Sequence, residues 1–518
     1  YALETNVSRC SNEGQISGNI SIGGIAARIS GSITDCVNSG RLTSTVTGTS
    51  EVDMAGIAAY GLKGTSSMLT ISNCRNTADI SGPRGVAGIL ASTDGYDSNT
   101  KSSGCYVVMT GCYNTGNISA NSYASGVAGD FKSGCDISDC YNTGNVTTVS
   151  GHAAGCFNSL DDDPNNEVNR VARCYNTGTV KAGGTTNGGF AAQINNDMEI
   201  DNCYNLGDVS TTYTGGNTNQ AFTAGFCAYL NGHITNCFNA GNVTSTQFGV
   251  GGFSTYGSPV VERCVNLGNV TCTDTKTPSY NFGAVAAFAT QGQTTLIDCA
   301  NFGTITGYSR VAGLHARMWN GATITNCYNA GDIVVTGPTL DGCDLMGIPI
   351  DILDGPRYIV GSFYSTEAKV PEGISNSFGV PGCNERSLAL TDLGQAWSYD
   401  RGALPLPAGF VDTERLHFAA SRFFLADEND TPQAVTSYVF LPRFADLEWT
   451  SEQNVVFNDH AAYPTAVGQY RITCKAPVAG LTKQFDFTVT RYTGIDGIDD
   501  RTARLVERLG EEQQHVGI

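Results

Sequence analysis

Eleven times the chain returns to a cysteine that opens the same short phrase. The copies are CSNEGQI at Cys10, CVNSGRL at Cys36, CRNTADI at Cys74, CYNTGNI at Cys112, CYNTGNV at Cys140 and CYNTGTV at Cys174. They continue with CYNLGDV at Cys203, CFNAGNV at Cys237, CVNLGNV at Cys264, CANFGTI at Cys299 and CYNAGDI at Cys327. Successive cysteines lie 26 to 38 residues apart. A metal or redox site needs such residues once or in pairs. A fixed motif at variable spacing marks a solenoid whose loops absorb the insertions.

Within the phrase, the second residue after Cys is always Asn, and the fourth is Gly in ten copies, with Ala78 the exception. The sixth is Ile, Val or Leu, and the residue three before Cys is apolar from Val7 to Ile324. A second phrase of small residues recurs between copies, as in GGIAARI at Gly23, AGIAAY at Ala55 and GVAGIL at Gly85. Each repeat thus supplies three strands too short to bury a core alone, and stacking joins them into continuous parallel ladders. The expected fold is all-β, a right-handed parallel β-helix.

Coils stacked about 4.8 Å apart place equivalent residues in columns. The Asn column is expected to form an amide ladder. The Gly is expected to supply a left-handed corner, and the Cys to pack as a small interior hydrophobe. The apolar residue and the Cys three positions later differ in strand parity, which predicts a bend or bulge that turns both inward. Eleven to thirteen coils would make a body about 50 to 60 Å long.

The composition agrees: Gly is abundant at 63 residues, and only 15% of residues are charged. A net charge of −19 argues against nucleic acid or anionic membrane as main partner, since both call for a basic surface. No apolar run is long enough to span a bilayer. The sequence begins at Tyr1 close to its first repeat, and reads as a mature or excised piece of a longer chain. The 19 cysteines include no C-x-x-C pair, so zinc-ribbon and thioredoxin-type chemistry have no support.

The combination [IV]-x-N-C-[YF]-N-x-G-[ND]-[VI] with [VA]-G-[GA]-[IFL] resembles the GLUG-type repeat of bacterial surface and secreted proteins, over roughly residues 5 to 350. The resemblance implies an extracellular or cell-surface β-solenoid scaffold of adhesin type. Some proteins with this repeat are IgA-specific metallopeptidases, but their zinc signature H-E-x-x-H is nowhere in this chain.

The β-helix is expected over 1–350 and a cap and linker over 351–412, because an open coil end is an unpaired edge. Short alternating runs over 413–493 predict a small β-sandwich resembling bacterial Ig-like domains. A polar tail follows over 494–518.

Candidate sites are few. Tyr113, Tyr141, Tyr175, Tyr204 and Phe238 follow the Cys in five consecutive coils. Exposed, they would stack on sugar rings; covered, they would stack on one another. Asp161, Asp162 and Asp163 are a candidate calcium site on oxygen density. Cys105 and Cys135 lie in loops before consecutive repeats and are a candidate disulfide, with Cys343 and Cys383 a second choice. In the position before the motif Cys no two neighbouring coils both carry an acid, and the six His have no spaced Ser or Cys partner. No catalytic set is therefore assigned. The expected role is a rigid scaffold binding host or dietary glycans or host surface proteins. A carbohydrate-active β-helix enzyme and a purely structural stalk are the alternatives.

Overall fold

The computed structural model describes residues 2–48, 52–65, 68–95, 99, 102–162, 169–195, 198–213, 222–275, 284–349, 358–383, 393–398 and 405–407. Beyond these it describes the segments 415–418, 423–425, 437–442, 448–458, 461–464, 466–476 and 481–490. Residues 1–362 with 369–380 form one compact unit, and 363–368 with 381–518 form a second.

The first unit is a parallel β-helix. One coil runs through Tyr106–Thr110, Tyr113–Asn114, Ile118–Ser125 and Ala128–Phe131. The next runs through Cys135–Ser138, Tyr141–Asn142, Val146–Ala154 and Phe157–Leu160. The two pair in parallel, Met109 with Ile137, Tyr113 with Tyr141, Ile118 with Val146 and Ala128 with Phe157. Repetition of this register yields three sheets. The first holds the strands on either side of the variable loops, the second the two-residue motif strands, and the third the strands from the motif's apolar residue to the small-residue phrase.

The bend before the cysteine has a single cause. The residue preceding every motif Cys is left-handed, with φ between 51° and 64° from Arg9 through Gly111 to Asn326. That residue reverses the parity, so Ile137 and Cys140 both face inward and are fully buried. Asn, Asp and Gly, the residues that tolerate this conformation best, fill eight of the eleven positions, and Arg fills the other three.

The motif glycine differs from expectation. None of Gly14, Gly40, Gly116, Gly144 or Gly178 lies among the left-handed residues. Glycine is required there by close approach: a Cβ on Gly178 would sit 1.9 Å from the carbonyl oxygen of Gly144 in the adjacent coil. The same contact recurs at Gly207, Gly241 and Gly268.

The Asn ladder is continuous. Each Nδ2 donates to Oδ1 of the next Asn, from Asn12 through Asn142 to Asn329, at 2.7–3.0 Å. The cysteines form a second ladder in which the Cys112 amide donates to Cys140 Sγ at 3.4 Å. From Cys36 to Cys343 every cysteine is a buried thiol outside any disulfide, and Cys10 is an exposed one.

One column escaped the sequence reading. Phe190, Phe226 and Phe253 stack nearly parallel inside the coil, at 4.8 and 4.5 Å between centroids. Phe157 meets one end edge-on and Phe288 stacks on the other, both at 5.5 Å. Each such buried ring contributes about 1.5–3 kcal/mol by removal from water.

At the C-terminal end of this unit Asp344 replaces a small residue. Its carboxylate accepts the amides of Met346, Gly347 and Ser377 at 2.8–3.1 Å.

In the second unit, Leu481–Thr490 pairs antiparallel with Gly468–Ala476, which pairs antiparallel with Glu448–Ser451. Phe423–Leu425 lies parallel beside Leu481–Thr490. Tyr470 donates its hydroxyl to the Ala466 carbonyl at 2.6 Å. The 494–518 tail lies outside the described residues.

Candidate functional site

Of the two readings of the motif aromatics, stacking on sugar rings or on one another, the geometry shows the second. Tyr113, Tyr141, Tyr175, Tyr204 and Phe238 stack at 4.7–5.0 Å with interplanar angles of 3–10°. Each inner ring has both faces covered, and Tyr175, Tyr204 and Phe238 are buried. The inner rings therefore present edges at most, and a sugar needs a free face. Burial and the adjacent Tyr113 phenol push the Tyr141 phenol up to about 12. Replacing the half-buried Tyr141 by Ala is expected to cost about 2 kcal/mol, read from chemical denaturation, without loss of ligand binding.

The other expectations fall as follows. Asp161 is half-buried and accepts Asn195 Nδ2 at 2.5 Å; burial raises its pKa. Asp162 is also half-buried, and Asp163 lies outside the described residues. Among the described residues no three His, Cys, Asp or Glu converge as a metal site. Cys105 and Cys135 form no bridge. Val107 is the register partner of Cys135, so Cys105 is offset by two residues and the Cα atoms lie about 8 Å apart, beyond disulfide reach. Burial pushes the Cys105 thiol up to about 12. Cys343 and Cys383 likewise form no bridge.

Carboxylates before the motif Cys are spent on their neighbours. Arg173 makes two bonds to Asp139 at 2.7 and 2.9 Å, and Asn326 donates to Asp298 at 2.5 Å. Asp208 and Asp332 accept the backbone amides of Asn242 and Lys369 in the adjacent coils.

The other candidate is the crease between the third and first sheets. Gly88 and Gly126 turn the chain there, and a Cβ on Gly126 would lie 2.2 Å from Asn142 Cγ. Glycine clears the Asn ladder at this corner in nine of the ten coils, and Ala287 stands there in the other. The residue just before the corner is Gly, Ala or Ser in ten successive coils, from Gly23 through Ala55, Ala87, Ser125, Ala154 and Gly188 to Ala312. Ala55, Ala87 and Ala91 pack together and close the floor.

A more varied set of residues forms the rims. Four residues beyond each corner, the first sheet presents Arg28, Tyr60, Ser92, Asp130, Ser159, Gln193, Tyr229, Tyr256 and Gln291 in one register. Three residues before the corner, the third sheet presents Asp53, Gly85, Tyr123, His152, Thr186 and Phe222.

Two clusters stand on these rims. Toward the N-terminus, Tyr123 is left-handed at φ 56°, an uncommon state for an aromatic residue. Its ring lies beneath the Arg84 guanidinium at 4.4 Å and beside the His152 ring at 4.7 Å. Burial, then Arg84, lowers His152 to about 4, so the imidazole is neutral at pH 7. Below them Asp53, Arg84, Tyr123, Ser125, Asp130 and Asn158 line a cavity of about 10 Å³. Further along, Tyr256 is surrounded by Tyr229 at 5.1 Å, Phe222 at 5.9 Å and Trp319 at 5.8 Å. Here the rings are tilted by 21–80° and half-buried, so they do not close on one another as the motif tyrosines do.

Alignment on the motif Cys hides these rims, because the intervening loops vary in length. Alignment on the corner glycine places Asp53, Tyr123 and His152 three residues before it and Asp130, Tyr229 and Tyr256 four after it.

No family model, no curated protein and no solved structure matches this chain.

Proposed function

We propose that the chain is an adhesin-like, extracellular or cell-surface solenoid that binds a linear glycan lengthwise along the crease. The observation carrying this reading is the two-rimmed crease itself. Its small-residue floor is kept for ten coils, and its rims carry half-buried tyrosines, amides, arginines and carboxylates. Sugar recognition uses this mixture, with aromatic faces for the apolar side of a pyranose and convergent polar groups for its hydroxyls. A repeat of one coil, about 4.8 Å, offers a periodic polymer the same rims many times over. The resemblance to GLUG-type repeats supports the surface location. The Tyr470 bond to a carbonyl four residues upstream supports an Ig-like spacer, since such sandwiches use a tyrosine in this way.

A glycan array probed with the full chain tests the reading. Binding is expected, and the double variant Tyr229→Ala/Tyr256→Ala is expected to weaken it about 10- to 30-fold at about 1 kcal/mol per ring. The double variant Tyr113→Ala/Tyr141→Ala is expected to leave affinity unchanged. Silence on the array, or loss of binding through the second pair alone, would overturn the crease as the binding surface.

A further inference from the structure

We propose that a cavity on the third-sheet rim, in the C-terminal coils of the solenoid, binds a carboxylated sugar, with Arg310 holding the carboxylate. The inference rests on the glycan reading and names the class of sugar. The cavity has a volume of about 390 Å³, within the range of small-molecule sites. Tyr308, Ser309 and Arg310 line it from the loop after Ile305–Gly307, and Thr339, Asp341 and Gly342 line it from the loop after Ile333–Val335. Those two strands pair in parallel, so the cavity is shared by equivalent loops of adjacent coils.

Arg310 is not what the fold asks for. It stands three residues before the corner Gly313, and its backbone is left-handed at φ 54°. Gly85 and Gly249 hold the same rim position with φ of 70° and 85°, and Gly342 holds it in the next coil with φ of 66°. Glycine takes that conformation without strain, whereas an arginine there carries a conformational cost of the kind borne at functional sites. Burial lowers the Arg310 pKa, because the half-buried guanidinium has lost part of its hydration. A carboxylate restores what water no longer supplies. The guanidinium has five N–H donors in a planar fork, so it receives a carboxylate beside the contacts it already makes.

The other groups select a sugar over a simple anion. Asp341 is exposed on the neighbouring loop; its carboxylate repels an inorganic anion but accepts sugar hydroxyls. Ser309 is 7% exposed, and its Oγ has no hydrogen-bond partner in the protein. A buried hydroxyl is almost always paired, so a bound molecule is the partner left to it. Tyr308, half-buried, adds an aromatic ring. A ligand with a carboxylate at one end and hydroxyls at the other satisfies both loops, and phosphate or sulfate does not. The net charge of −19 opposes a polyanion along the whole crease, which places the carboxylate at this one cavity. A uronate branch and a terminal sialate share this chemistry.

The test uses the full chain at physiological salt and two matched pairs of oligosaccharides. One pair is xylotetraose with and without a glucuronate branch, and the other is lactose with and without a terminal sialate. Titration calorimetry is expected to show the acidic member of one pair binding at least about 10-fold more tightly than its neutral counterpart. The pair that shows it separates uronate from sialate. Arg310→Gly is expected to reduce the preference to within about twofold while the thermal midpoint holds, since glycine suits this backbone. Arg310→Lys, which keeps the charge, is expected to retain part of the preference. Equal binding within both pairs, no binding by either acidic member, or a preference that survives Arg310→Gly would overturn the carboxylate site and leave the glycan reading intact. Silence of the glycan array as well would overturn both.

Discussion

Replacing Asn142 by Leu is expected to destabilise the solenoid by about 4 kcal/mol. Asn142 is fully buried in the middle of the ladder. It accepts from Asn114 at 2.7 Å, and its own amide donates to Asn176 at 2.8 Å and to the Gly144 carbonyl at 2.7 Å. Leucine leaves one amide hydrogen of Asn114 without an acceptor and removes a donor from Asn176. Each loss inside a dry interior costs about 1–3 kcal/mol. The branched side chain must also fit against Gly126, whose α-carbon already packs on Asn142. Asn12, half-exposed at the end of the ladder with a single neighbour, is the control, with an expected cost of about 1 kcal/mol. Denaturant midpoints of the two variants check the ordering; equal midpoints would remove the ladder as a source of stability.

Gly178→Val is expected to cost at least about 3 kcal/mol. A Cβ at Gly178 meets the Gly144 carbonyl oxygen at 1.9 Å and the carbonyl carbon at 2.6 Å, with Asn142 Nδ2 at 3.1 Å. These are backbone atoms of a neighbouring coil, so relief requires the two coils to part. Ala78 shows that one coil gives way to a single methyl group, and valine adds two more carbons to the same contact. The same substitution at Gly14, the first motif glycine, where an added Cβ meets only Asn12 Oδ1 at 3.8 Å, separates loss of glycine flexibility from collision. Thermal unfolding of the pair should show a large fall for Gly178 and a small one for Gly14.

These two positions also show what the sequence discloses. The Asn ladder was readable because a polar residue repeated at one place in eleven copies has few partners other than itself. The motif glycine was readable as obligatory but for the wrong reason. A left-handed corner and a close approach both exclude Cβ, and the letters alone do not tell them apart. The true left-handed column was masked because Arg9, Arg173 and Arg263 share it with Asn, Asp and Gly. The crease was the least readable feature. Asp53 and Asp130 are 77 residues apart, and they line one cavity only because three successive coil corners stack. Loops of unequal length between the motif and the corner put their columns out of step in any alignment made on cysteine.

The ladder's direction has an electrical consequence. In all ten bonds the amide of the earlier coil donates to the carbonyl of the later one. The side-chain dipoles are therefore aligned head to tail along the axis and polarise one another. They sum, as peptide dipoles sum in a helix, into a field that runs the length of the coil stack and makes its two ends inequivalent. A stack built this way has a polarity independent of its charged residues.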